Sequence, residues 1–409
     1  MKTFLKNSVV RILTWEAKRV LARTNPRIIA VTGTVGKTGA KDAIAAALAP
    51  FGSVRKSEKS FNSEIGVPLA ILNLPNPWSN PLRWVGVLLR GFIFAFTTHY
   101  KLPTTHFLIL EIGTDRPGDI RSITTWLKPE IVVVTRLSHA PVHVENFSSV
   151  GELIAEKGAL VKSVRPGGIL ILNADDSDVL AYRALAPQGT RVISYGLSDK
   201  ADVHADIYRD TLARMPFRTH QYAVLAGCAV AHALGFDTTR ATKVLAHYTG
   251  APGRLRVLAG INGSILIDDS YNSSPVAAEE ALRALAEYKT GGRRIAVLGD
   301  MLELGEFSAR EHTRILERAL ASADLVLIVG LQFTNTARSW SNGKPDKVQV
   351  YLDARAAGAA LAQELRADDV ALIKGSQGLR MERAVALCLR DQSRASELLV
   401  RQEKEWRKR

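Results

Sequence analysis

The run Ile28-Ile29-Ala30-Val31-Thr32, continuing into Gly33-Thr34-Val35-Gly36-Lys37-Thr38, constrains this chain more than any other stretch. An apolar, β-branched strand feeds a glycine loop that ends in Lys-Thr and opens a helical pattern over residues 41–48. That order aims successive backbone N–H groups and a helix N-terminus at one point, where dipole and hydrogen bonds together hold an anion. Gly33 and Gly36 permit the tight path, with Thr34 and Val35 between them. Lys37 would reach terminal phosphates and the Thr38 hydroxyl would ligate magnesium, the division of labour of a phosphate-binding loop. The spacing is shorter than the general G-x-x-x-x-G-K-[ST] pattern, whose first glycine falls here on Val31. By itself the loop leaves kinase, GTPase and ligase readings open.

Strand-like runs recur between helical patterns at residues 28–32, 106–112, 131–135 and 168–172. Such alternation implies a mostly parallel sheet covered on both faces, with ligands beyond the carboxyl ends of the strands. Glu111 closes the second run and is a magnesium-ligand candidate. His139 and His143 lie four apart, but Pro141 between them argues against a helical zinc pair, so one histidine assisting a hard cation is the reading kept. Lys157 sits one helical turn from Leu153 and, in isolation, reads as a surface lysine. Residues 61–68 read only as a turn. The sequence Ala251-Pro252-Gly253-Arg254 then punctuates the chain, and a second alternating series follows, with Asp268-Asp269, Gly299-Asp300 and Lys374-Gly375-Ser376 at its strand ends. The fold class is therefore α/β: a phosphate-loop parallel-sheet domain over 27–250, then a Rossmann-like domain over 251–389, joined at a Pro-Gly hinge that suggests a closing cleft.

With 46% hydrophobic and 23% charged residues the composition is that of a globular protein. A formal charge of +14 points to anionic partners, and because the basic residues are spread rather than blocked, small anionic substrates are favoured over nucleic acid. Cys228 and Cys388 stand singly, which excludes a disulfide framework and fits a cytoplasmic setting. Residues 1–26 read as a basic amphipathic helix, either packed on the first domain or touching an anionic membrane face. No uninterrupted signal-peptide core is present there. Residues 84–96 are apolar but too few to span a bilayer, which predicts a buried or interfacial helix. Residues 390–409 read as a charged, solvated helix or tail.

Taken in order, these pieces resemble the Mur ligase superfamily. The carriers are Thr32–Thr38, Phe61-Asn62-Ser63-Glu64-Ile65-Gly66-Val67-Pro68, Leu110-Glu111-Ile112-Gly113, His143-Val144-Glu145-Asn146-Phe147, Glu156-Lys157-Gly158, Gly253-Arg254, Asp268-Asp269-Ser270-Tyr271-Asn272, Leu298-Gly299-Asp300-Met301 and Lys374-Gly375-Ser376. The superfamily's own phosphate loop has the short spacing. The resemblance implies an ATP- and Mg²⁺-dependent amide ligase working through an acyl phosphate, in the branch that adds D-alanyl-D-alanine to a muramoyl-peptide carboxylate during peptidoglycan precursor synthesis. It implies that Lys37 holds the transferring phosphate, that Thr38, Glu111 and His143 ligate metal, and that Lys157 is carbamylated and adds an oxygen ligand. Arg254 would reach the nucleotide phosphates and Asp269 the ribose, while Asn62, Ser63, Tyr271, Asn272, Asp300, Lys374 and Ser376 would contact substrate. A monomer is expected. Because about 26 residues precede Arg27, the uridine-gripping domain of typical members is not expected. That leaves a lipid-linked muropeptide or a folate-like γ-glutamyl acceptor as alternatives, and a catalytically silent nucleotide-binding scaffold as a different class.

Overall fold

The computed structural model describes residues 2–58, 61–78, 80–96, 105–137, 144–339 and 347–407. They form two compact units. The first comprises the chain up to Leu137 with Gly151–Met215 and Gln221–Tyr248; the second comprises Thr249–Arg409 together with 144–150 and Pro216–His220.

The first unit is built on seven parallel strands: β1 (Arg27–Thr32), β2 (Val54–Lys56), β3 (Phe107–Glu111), β4 (Ile131–Val134), β5 (Ile169–Asn173), β6 (Arg191–Gly196) and β7 (Val203–His204), in the order β2-β3-β1-β4-β5-β6-β7. The central strands are buried on both faces, as a parallel sheet requires. Ile29, Val31, Ile109, Val133 and Ile171 pack towards α2 (Lys37–Leu48) and the helix Arg218–Ala233. Ala30, Leu108, Leu110, Val132 and Leu170 share the opposite core with Leu13, Ala17 and Val20 of the N-terminal helix. That helix, α1, runs unbroken over Lys2–Thr24, so its packing role is realised. Residues 61–68 hold more than a turn: α3 (Gly66–Leu72) starts within them and is entirely buried. The apolar segment is α4 (Pro81–Phe96), which packs on α1 through one side only. Two further helices, α5 (Asp119–Thr124) and α6 (Val150–Lys162), complete what the site needs.

The second unit has six strands: β8 (Arg256–Ala259), β9 (Ile265–Asp269), β10 (Arg294–Gly299), β11 (Leu325–Val329), β12 (Val348–Tyr351) and β13 (Val370–Lys374), ordered β12-β11-β10-β13-β9-β8. All pair in parallel except β8, an antiparallel edge strand that the sequence pattern did not signal. In both sheets the strand order reverses: at β1, beside the phosphate loop, in the first, and between β10 and β13 in the second. Ligands of open α/β sheets lie at such points.

Residues 390–407 depart from the charged helix expected over 390–409. They form three short helical pieces, Gln392–Arg394, Ala395–Leu398 and Lys404–Arg407, and are tied down by Arg401, which is 6% exposed. Its guanidinium donates to the Ser270 carbonyl at 3.2 Å, to Glu382 Oε2 at 3.1 Å and to the Tyr271 carbonyl. A paired charge can be buried where an isolated one cannot, which is why a charge count misplaces this segment.

Candidate active site

The phosphate loop lies at the reversal point of the first sheet. Gly33 and Gly36 take φ of 143° and 87°, left-handed values that glycine adopts without a Cβ clash. Thr135 and Arg136, at the end of β4, clamp the loop. The Thr34 N–H donates to the Arg136 carbonyl at 2.6 Å, and the Thr135 hydroxyl donates to the Val35 carbonyl at 2.7 Å. A Cβ on Gly33 would stand 2.1 Å from that hydroxyl oxygen, so two constraints meet at one glycine. The Lys37 ammonium donates to the carbonyls of Gly33 and Thr34 at 2.9 and 3.3 Å. The Thr34 hydroxyl is buried without a hydrogen-bond partner, an orphan that a phosphate oxygen would satisfy.

Thr38, in the first turn of α2, donates its hydroxyl to Glu111 Oε2 at 2.9 Å. Glu111 is 3% exposed; its own N–H donates to the buried Ser57 hydroxyl, and the Lys41 ammonium lies 3.8 Å from Oε2. One hydroxyl beside one carboxylate is a donor set for Mg²⁺, which keeps several waters and takes other ligands from substrate phosphates. Among the described residues no three His, Cys, Asp or Glu side chains cluster, so the donor set here is sparse. His143 lies outside the described residues.

Lys157 is not on the surface. It is 4% exposed on α6, next to Glu156, which accepts the backbone N–H groups of Ile120 and Arg121 at 2.8 and 2.9 Å. Burial, reinforced by the positive charge of Lys37, pushes the Lys157 ammonium down from 10.5 to about 7, against the opposing pull of Asp115 and Glu156. An amine held there is about half unprotonated at neutral pH, and that fraction is nucleophilic. Asn62 and Ser63 border this half: the Asn62 carbonyl accepts the Gly113 N–H at 2.9 Å, and the Ser63 hydroxyl accepts from the Gly66 N–H at 3.3 Å.

The second unit gathers its predicted residues at the ends of β9, β10 and β13. Lys374 and Asp269 face each other in register and form an ion pair at 2.6 Å, and the Lys374 ammonium also donates to the Asn272 carbonyl at 2.9 Å. Burial pushes the Lys374 ammonium down while Asp269 holds it up. Asp269 thus engages a lysine, and its Oδ1 accepts the Leu255 N–H. Neighbouring Asp268 is fully buried and accepts from Gly253 N–H and from Ser270; burial raises its carboxyl to about 6. Asp300 is turned inward, accepting the N–H groups of Gln332 and Phe333 at 2.9 Å at the start of helix Leu331–Ser339. The Ser376 hydroxyl accepts the Leu302 N–H at 2.8 Å.

Arg254 stacks over the Tyr271 ring at 4.1 Å, and its Nε–H is buried with no acceptor in the protein, as suits a residue waiting on an anionic ligand. Residues that the pattern did not single out carry much of this geometry. Lys41 could have been found from its place one turn beyond Thr38. Thr135 and Arg401 touch their partners only through folding and left no local signal.

A parallel-sheet unit with a phosphate loop, a hydroxyl–carboxylate pair and a buried amine, in one chain with a second α/β unit, defines a nucleotide-dependent α/β enzyme. The Mur ligase middle domain matches residues 93–230, and the Mur ligase, glutamate ligase domain matches residues 253–377. The UDP-N-acetylmuramoyl-tripeptide–D-alanyl-D-alanine ligase of Mycobacterium tuberculosis is 31% identical over 389 residues, covering 85% of this chain and 70% of the relative. The enzyme of the same name from Escherichia coli is 28% identical, covering 91% and 78%. In structure the chain resembles MurF ligase from Thermotoga maritima in complex with ADP, with TM-score 0.72, 24% identity and coverage of 92% and 83%. The chain belongs to the Mur ligase family, whose members are ATP-dependent ligases that form amide bonds.

Proposed function

We propose that this protein uses ATP and Mg²⁺ to add D-alanyl-D-alanine to the terminal carboxylate of a muramoyl tripeptide in peptidoglycan precursor synthesis. The reading rests on the 31% likeness to a ligase of that name and on the site of the first unit, where loop, Thr38, Glu111 and a buried Lys157 occur together. Transfer of the γ-phosphoryl group to the carboxylate gives an acyl phosphate. The dipeptide amine then attacks its carbonyl, and phosphate leaves as the amide forms.

Every stage is an oxyanion, so catalysis is mainly positioning and charge stabilisation. In this scheme Gly33–Thr38 cradle the phosphates and Lys37 follows the transferring group. Thr38, Glu111, His143 and a carbamate on Lys157 would hold Mg²⁺, whose contribution is to neutralise phosphate charge. Arg254 and Asp269 are assigned to the nucleotide. Tyr271, Asn272, Lys374 and Ser376 serve the amine substrate along with Asn62 and Ser63, while Asp300 positions its loop from within. We assign the enzyme to the cytoplasm as a monomer with peripheral membrane contact.

Phosphate release should require ATP, Mg²⁺, D-Ala-D-Ala and a UDP-muramoyl tripeptide together, and Lys37→Ala should abolish it. Release that ignores the dipeptide, or an unimpaired Lys37→Ala enzyme, would overturn the assignment. Lipid-linked and γ-glutamyl acceptors belong in the same screen.

A further inference from the structure

Helix α4 is apolar along both of its sides. Trp84, Val87, Leu88, Gly91, Phe94 and Ala95 face the protein. On the opposite side stand Leu82, Val85, Leu89, Phe92, Ile93 and Phe96, exposed by 84, 56, 60, 51, 40 and 49%. At 3.6 residues per turn these six fall within an arc of about 100°, a continuous stripe and not scattered exposures. Helix α1 widens it: the Trp15 ring lies 6.2 Å from that of Phe92 and 5.6 Å from that of Phe96, with Ile12 and Trp15 themselves 42 and 39% exposed. A contiguous apolar patch of this kind marks an interaction surface.

The charges around the stripe decide what covers it. Arg11, Lys18, Arg19 and Arg23 are exposed on α1, and Arg83 and Arg90 on α4, whereas Lys6 is paired with Glu64 at 2.6 Å. Seven residues apart on one helix, Arg83 and Arg90 flank the same edge of the stripe. On the other edge the Arg19 guanidinium rests over the rings of Trp15 and Phe96 at 5.1 and 4.8 Å. The two helices hold one acidic residue, Glu16, and it is fully buried. A second copy would set these cations against each other. A bilayer with anionic headgroups takes the apolar stripe into its acyl boundary, places the aromatic rings at the interface and pairs the cationic rim with lipid phosphates. Among the described residues no helix is long and apolar enough to cross a membrane, so the contact is in the plane.

We propose that the outer faces of α4 and α1 together form a docking surface for an anionic lipid bilayer. This deepens the membrane contact included in the reading above, carries it from the N-terminal helix onto α4, and is independent of the ligase chemistry. The test is flotation of the full chain with phosphatidylcholine vesicles and with vesicles containing 30% phosphatidylglycerol. The chain should float with the anionic vesicles, with at least tenfold weaker partitioning onto the zwitterionic ones and weakening as salt rises.

Leu89→Glu/Phe92→Glu should reduce binding at least tenfold without changing the thermal melt or ATP-dependent phosphate release on a soluble acceptor. Arg83→Glu/Arg90→Glu should weaken binding to the anionic vesicles only. Should either variant unfold, quenching of Trp15 fluorescence by brominated lipid in the unaltered chain, scored against Trp15→Phe, reads the same contact. Absence of vesicle binding overturns the proposal. So does equal binding by the unaltered and Leu89→Glu/Phe92→Glu chains, or a lipid-free dimer in sedimentation that this double substitution dissolves. Failure of the ligase reading would leave vesicle binding intact.

Discussion

Lys157 supplies the sharpest test of the active-site chemistry, because its burial makes a quantitative statement about carbon dioxide. Carbamylation needs the free amine. A lysine at its ordinary value of 10.5 is unprotonated in about one molecule in a thousand at pH 7.5, whereas at about 7 the fraction is roughly three-quarters. The site therefore offers several hundred times more nucleophile than a surface lysine, and the amine fraction passes one-half near pH 7, rising with pH. The perturbation is removal of bicarbonate, and in parallel Lys157→Arg, which keeps a cation but cannot form the carbamate. The assay pairs phosphate release with ¹³C NMR of protein equilibrated in ¹³C-bicarbonate. Turnover should fall on bicarbonate depletion and return on its restoration, and a single carbamate resonance should be absent from the arginine variant. That variant should lose roughly 100-fold or more in kcat/KM, the scale seen when an oriented ligand or charge stabiliser is removed. Full turnover without label incorporation, or an arginine variant within tenfold of the unaltered enzyme, would refute the reasoning.

Gly33→Ala should destabilise the fold by about 1–3 kcal/mol and weaken nucleotide binding at least tenfold by calorimetry, since the new Cβ meets the Thr135 hydroxyl at 2.1 Å; Gly189→Ala, at positive φ in open space, should show only the backbone strain. Arg401→Ala removes one partner of the buried Glu382, which Arg380 still holds, so urea denaturation should show a loss of about 2–3 kcal/mol, and KM for the amine substrate should rise as Tyr271 loosens. Burial pushes Glu16 up from 4.5 to about 7, so its neutral form suits the fold: the stability it contributes is full below about pH 4.5 and is lost as pH rises through 7. Glu16→Gln should therefore melt with the unaltered chain at pH 5 and a few degrees above it at pH 8.5. Burial lowers His220 from 6.5 to about 4, the opposite case; neutral at its 4% exposed site, it contributes stability above pH 6.5 that is lost on acidification towards 4, and His220→Gln should flatten that part of the melting-temperature profile.

The phosphate loop was legible because its information is contiguous: strand, two glycines, Lys37 and Thr38 lie within a dozen residues, and each residue type has one conformational or chemical reason to be there. The parallel sheets were legible for a related reason, since strands buried on both faces read as short apolar runs. What holds the loop in place was not. Thr135 reaches Val35 across a hundred residues of chain, and nothing in its own neighbours announces it. Lys157 looked like a surface lysine because helical period assigns it a face but cannot say that the face is covered. Helix α4 was read as buried or interfacial, because apolar residues on most of its faces cannot say which of them meets the protein; six of them stand in the open.

Charged residues at strand ends show where local reading stops. Topology places Asp269, Asp300 and Lys374 near the reversal point of the second sheet, and the sequence alone could go no further than that class of position. Their partners divide them. Lys374 and Asp269 neutralise one another, an arrangement that keeps two charges buried and poised at a strand terminus, whereas Asp300 accepts two helix N–H groups and is held inward. Substitution should separate them: Asp300→Asn, which keeps the acceptor oxygen, should disturb stability more than KM, while Lys374→Met leaves Asp269 uncompensated beside Asn272 and should disturb KM for the amine as well. The same residue type at the same kind of position thus fastens a helix start in one case and holds a buried lysine in the other, and only its partners tell which.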